Sequence, residues 1–266
     1  MIVTSSLARG LLRDAIARQS VCSSQAWERA NKAGLRAPPS LRRFREWFAA
    51  HERTFQSSAI LIAYGKVGRR RCAFTSYMPA FCEDDQGWVL KVDCLHIQCE
   101  PGRILAAACE RLPITVCGHA LERMFQRGET LEWADVRNGL ADALLFFCPA
   151  YRAYIEAGHV EGPLPASNGL LVGRVADGVL ELKTFLQEGS LRPRYAALLA
   201  DFRGLLAANA EAFHFGVACG DPSAVGLITA CITAKQHRWL QEPHQPGVDW
   251  VSEAWASRGA ELARVG

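Results

Sequence analysis

Gly169-Leu-Leu-Val-Gly-Arg-Val-Ala176, Asp177-Gly178 and Val179-Leu-Glu-Leu-Lys-Thr-Phe-Leu186 form the stretch on which the fold class turns. Asp-Gly between two β-prone runs is a tight-hairpin signature, because both central residues of such a turn take positive φ. Side chains alternate along a strand, so Leu180, Leu182, Thr184 and Leu186 are expected on one face, with Glu181, Lys183 and Phe185 on the other. Thr184 is thus a polar residue on a leucine face. A helix packed there would come close to it, although threonine is also simply a good strand residue.

Working outward, residues 57–97 carry further strands. Ser58 to Tyr64 is apolar and β-prone, Cys72 to Tyr77 reads as a second strand, and Trp88 to Ile97 as a third, after a turn at Glu83 to Gly87. Gly65 to Arg71 (GKVGRRR) reads as a loop. It lacks the spacing of a phosphate-binding P-loop. Arg69, Arg70 and Arg71 could touch a nucleic-acid backbone, or could blunt a sheet edge as a solvated turn. Helices fill the remainder. Met1 to Arg18 reads as an amphipathic helix, and Leu41 to His51 as another, capped by Ser40. Pro101 is expected to open a short helix over 102–111 that ends at Leu112-Pro113. Thr130 is expected to cap a helix stopped by Pro149, followed by a loop over 150–168. Helices are also expected over 194–210, from Pro222, and from about 251. The order helices, strands, helices, hairpin, helices predicts an α+β fold. An antiparallel sheet is packed by helices, with a helical region 1–56, a core 57–187 and a helical region 188–266.

The chemistry concentrates between sheet and hairpin, in Ile114-Thr-Val-Cys-Gly-His-Ala-Leu-Glu-Arg-Met-Phe-Gln-Arg-Gly128. At about 100° per residue, Arg123 lies about 40° and Arg127 about 80° from His119, while Ala120, Leu121, Met124 and Phe125 take the opposite arc. An imidazole and two guanidiniums therefore share one row, about 6 Å apart. Arginine forks suit phosphate oxygens, but the row also fits a solvated face with Glu122 paired to an arginine. Gly128 is placed to end this helix.

The H-A-L-E-R-M-x-x-R-G helix, a second helix, and a hairpin ending L-K-T-F-L together resemble a small bacterial domain family of unknown function. That family is marked by an H-A-x-x-R-M-x-x-R-G helix followed by strands ending near a threonine. It is similar to BrnT- and RelE-type toxins and, more loosely, to the barnase–EndoU–colicin group of metal-independent ribonucleases. The resemblance covers roughly 114–187, and the matching positions are His119, Arg123, Arg127 and Thr184. The segment 149–168 is long, and the flanks have no counterpart in the compact family.

The resemblance implies a ribonuclease-like toxin or effector. Metal-independent RNA cleavage needs a base, an acid and cations for the developing charge. His119 is then the acid or base, Arg123 and Arg127 hold the phosphate, and Thr184 donates to a non-bridging oxygen, with Lys183 a lesser candidate. A second proton carrier would have to come from His159, Tyr154 or His96. No cofactor or metal is called for. The alternative is a non-catalytic binding or regulatory module, effector- or immunity-like, with a protein partner. A third reading takes Cys117 as a nucleophile, which needs the helix to start after it. Cys94-x-His96-x-x-Cys99 has the flavour of a metal site but offers no evident fourth ligand.

Composition bounds these readings. The chain has 266 residues, half of them apolar, and a net charge of +3, too small to argue RNA binding by itself. No apolar run reaches the roughly 18 residues of a membrane span. Ten cysteines are scattered without C-x-x-C spacing, which favours reduced thiols and folding in the cytoplasm; an effector delivered afterwards would look the same.

Overall fold

The computed structural model describes residues 3–33, 37–56, 58–67, 70–85, 87–156, 161–213 and 222–240. Its centre is a seven-stranded sheet ordered β1-β2-β3-β4-β7-β6-β5. β1 (Leu61–Val67), β2 (Arg71–Asp84), β3 (Gly87–Glu100) and β4 (Arg103–Cys117) form an antiparallel meander. β5 (Glu161–Ala166), β6 (Gly169–Ala176) and β7 (Val179–Gln187) form a second one. The two join through a short parallel ladder, in which Ile114, Thr115 and Val116 of β4 pair with Leu180, Glu181 and Leu182 of β7. The fold is mixed, with a mostly antiparallel sheet flanked by helices.

The Asp177-Gly178 hairpin forms as the sequence dictates. Asp177 and Gly178 sit at φ 50° and 74°, the left-handed pair that a two-residue turn needs. The alternation beyond it does not hold. Leu182 pairs with Gly173, but Thr184 pairs with Val172, so Lys183 is an extra residue in β7. This bulge reverses the alternation. Thr184 is turned to the face opposite Leu180 and Leu182, and the buried Phe185 takes its place. Gly173 permits the close approach, since a Cβ there would run into the backbone of Glu181 and Leu182.

Helix α3 (Gly118–Arg127) leaves the end of β4 directly and packs on β7. It buries Ala120, Leu121, Met124 and Phe125, the arc expected to pack. α4 (Trp133–Glu156) follows. Its Tyr154 lies against Gly162 of β5, and Gly139 lies against Met124 and Ala166. α1 (Ser5–Ala33) lies against α3, burying Ala8, Leu12, Ala15, Ile16 and Gln19, a helical stripe. α5 (Pro193–Ala208) and α6 (Pro222–Leu240) extend this core; Phe202 of α5 meets Phe146 of α4 edge-on at 5.1 Å. A second apolar cluster gathers under α2 (Phe44–Phe55), where Phe44, Phe48 and Phe55 meet Phe74, Met78, Leu95 and Ile97.

Several local expectations are corrected. Residues 103–111 are strand, not helix: the Ala106-Ala107-Ala108 run favours a helix, but its backbone pairs with Gln98, Ile97 and His96 of β3. Pro113 sits in β4 at a register shift, where a missing N–H is tolerated. Pro149 does not stop α4. The helix continues because Ala150, Ala153 and Tyr154 are buried on its far side, and packing outweighs the lost hydrogen bond. The segment 150–168 is accordingly the end of α4 and the strand β5. Thr130 precedes its helix by three residues and instead accepts the Glu132 N–H at 3.1 Å. The left-handed residue after α3 is Glu129, at φ 51°, while Gly128 remains right-handed at φ −74°. The helix expected from about 251 lies outside the described residues.

Candidate functional site

The polar row of α3 lies between two supports. On one side is α1: Arg9 approaches Glu122 at 3.5 Å, and Gln126 donates to the Ser5 hydroxyl at 3.4 Å. On the other side is β7, where Arg127 Nη1 donates to the Phe185 carbonyl at 3.0 Å. His119 and Arg123 occupy the strip between, both half-buried. Arg123 Nε lies 3.4 Å from His119 Nε2, a geometry in which the imidazole nitrogen accepts the guanidinium proton. Arg123 Nη1 donates to Gln126 Oε1 at 2.8 Å, which fixes the fork along the helix.

The start of α3 is set by Cys117. Its sulfur accepts the Ala120 N–H at 3.4 Å as the N-cap and donates to the Lys183 carbonyl at 3.1 Å. The helix therefore begins after Cys117, as a nucleophilic role requires. The thiol is nevertheless engaged with a carbonyl, and burial pushes its pKa up, away from the reactive thiolate. It is a strap between the β4–α3 corner and the bulge of β7.

Of the four positions named by the resemblance, His119 and Arg123 meet. Arg127 is held on the β7 backbone, and Thr184 is on the sheet face away from Leu182. The Lys183 ammonium pairs with Glu181 at 3.1 Å, and Glu181 also meets Arg174 at 3.5 Å. Arg70 is exposed and Arg71 pairs with Glu100 at 3.4 Å; Arg69 lies outside the described residues.

The candidate second proton carriers are placed as follows. Tyr154 is buried, its hydroxyl donated to the Pro163 carbonyl at 2.5 Å, and desolvation drives its pKa upward. His96 Nδ1 is 2.9 Å from the Thr75 hydroxyl, and burial lowers its pKa. His159 lies outside the described residues. Cys99 is an odd number of residues from His96, so the two take opposite faces of β3. No group of three metal-binding side chains occurs among the described residues.

A separate cleft of about 270 Å³ opens at the far end of α3. Met124 and Val136 line it with Thr130, Asp135, Asn138 and Asn168. Met124 is about 140° around the helix from His119, so this cleft and the polar row are different surfaces.

Sequence reasoning missed Ser5 and Arg9 as the flank of the row. The stripe Ala8, Leu12, Ala15 could have shown that α1 packs, but not against which helix. Comparison with known proteins adds nothing to this geometry: no family model, no curated protein and no solved structure matches the chain.

Proposed function

We propose that the chain is a binding module that holds RNA phosphodiesters on the polar face of α3, without cleaving them. The observation that carries this reading is the 3.4 Å approach of Arg123 Nε to His119 Nε2, half-buried between α1 and β7. A guanidinium fixed beside an imidazole presents directed donors to a phosphate. Cleavage asks for more. It needs two proton carriers and a donor at the non-bridging oxygen, whereas the Tyr154 hydroxyl is sealed against the Pro163 carbonyl.

Metal-independent cleavage is the second reading, favoured by the same pair, since an acid–base group beside a cation is the minimum that such chemistry uses. One experiment separates the two. The full chain is titrated into labelled single-stranded RNA with EDTA present, reading anisotropy and RNA length. The binding reading expects intact RNA, an affinity reduced about tenfold by Arg123→Ala, a loss of about 1.4 kcal/mol, and no change in Thr184→Val. RNA cleavage that persists in EDTA and vanishes in His119→Ala replaces binding by ribonuclease activity. Neither binding nor cleavage by the folded chain overturns both.

A further inference from the structure

Away from α3, two buried thiols face each other. Cys72 of β2 and Cys99 of β3 are directly opposed partners in the antiparallel ladder, and both are fully buried under α2. Their sulfurs are 3.1 Å apart, and Cys72 Sγ is 3.6 Å from the Cys99 carbonyl. Opposed residues of an antiparallel pair have Cα atoms about 4.5–5.5 Å apart, inside the span of about 4.4–6.8 Å that a disulfide bridges. Neither strand needs to move for a bond to form; the sulfurs need only close to about 2.05 Å.

We propose that Cys72 and Cys99 are a modification site, oxidised to a cross-strand disulfide by a small disulfide such as glutathione disulfide. One cysteine, as thiolate, attacks a sulfur of the oxidant and displaces one glutathione thiolate. The second cysteine gives up its proton and attacks the protein-bound sulfur of the mixed disulfide, displacing the second glutathione. Two protein thiols and one glutathione disulfide yield one protein disulfide and two glutathione thiols, the released protons ending on the leaving groups.

The position supplies a way in. Cys72–Cys99 is the last pair of the β2–β3 ladder; beyond it only exposed Arg71 and half-buried Glu100, joined at 3.4 Å, connect these two strands, each also paired outward, with Val67 of β1 and Arg103 of β4. Exposed ion pairs of this kind hold weakly, so the end can fray and admit the oxidant. Burial raises the pKa of both thiols, so attack is slow near neutrality and accelerates in alkali. The product ties β2 to β3 beneath α2 and closes the hairpin between them.

The test uses the full folded chain, incubated with glutathione disulfide, acid-quenched, denatured, alkylated with iodoacetamide and peptide-mapped by mass spectrometry. The expected result is a Cys72 peptide joined to a Cys99 peptide, lighter by two hydrogens than their sum. It forms faster at about pH 9 than at about pH 7, following the thiolate fraction, and is lost in Cys72→Ala or Cys99→Ala. The linkage is read in the wild-type chain, so a variant that fails to fold does not blur the answer. Recovery of Cys72 and Cys99 as alkylated thiols after oxidation at the higher pH, or joined to other cysteines, overturns the proposal.

Discussion

The Arg127 guanidinium donates to the Phe185 carbonyl across 3.0 Å, tying the last turn of α3 to β7 just beyond its bulge. At the other end of the same helix, the Cys117 thiol meets the Lys183 carbonyl at 3.1 Å. The polar row is thus stretched along β7 between two backbone clamps, and α1 closes its other side.

Arg127 is expected to act on stability before function. Arg127→Ala removes a charged hydrogen bond from a half-buried site, a loss of about 1.5–3 kcal/mol. Urea denaturation should show a lower midpoint with an unchanged slope. Arg127→Lys should recover part of it. A variant as stable as wild type would mean that Arg127 is available to a ligand.

Gly173 is expected to be intolerant. A Cβ at that position would strike Glu181 and Leu182 backbone atoms, so Gly173→Ala must shift the bulge or separate β6 from β7. The expected destabilisation is about 1–3 kcal/mol, the range for overpacking. Thermal unfolding measures it, and a neutral result would place the bulge elsewhere.

Acid should weaken the fold through two imidazoles. Burial lowers the pKa of both His51 and His96. A depressed histidine pKa means that the folded state holds its protons less tightly than the unfolded chain. Their contribution is therefore present above the unfolded value of about 6.5 and is lost as pH falls through the folded values. Denaturation midpoints measured from about pH 7 down to about pH 5 should decline. His96→Phe should flatten part of that decline. A slope unchanged in that variant would mean that His96 is not the titrating group.

Gln19 is expected to matter more than its type suggests. Buried at 3% exposure, it donates to the Ser58 carbonyl at 2.5 Å and accepts from Trp133 Nε1 at 3.1 Å, linking α1, the turn between α2 and β1, and α4. Gln19→Ala leaves both partners without it, a loss of about 1–3 kcal/mol for each group left unsatisfied. Chemical denaturation followed by tryptophan fluorescence would report it, and a small effect would mean that water replaces the amide.

Much of the site was legible residue by residue. The face of α3 that packs, and the row it leaves, follow from helical periodicity, and the hairpin at Asp177-Gly178 follows from the positive φ that Gly and Asp tolerate. Thr184 was misplaced because one extra residue reverses a strand's alternation, and nothing in Leu-Lys-Thr marks Lys183 as that residue. The cause lies across the ladder at Gly173, where the absent Cβ lets the chains crowd.

The sequence by itself determined certain local choices: the turn at Asp177-Gly178, which face of α3 is apolar, and that imidazole and guanidinium share one row. The tertiary structure alone decided the rest. It made a strand of the alanine run at 106–108, joined the two meanders through the parallel pairing of β4 with β7, and laid α1 beside the row. The reason is physical. Local preferences amount to about 1 kcal/mol or less per residue, so a backbone ladder or a buried face formed with a distant segment outweighs them, and such partners are not written in the neighbouring residues.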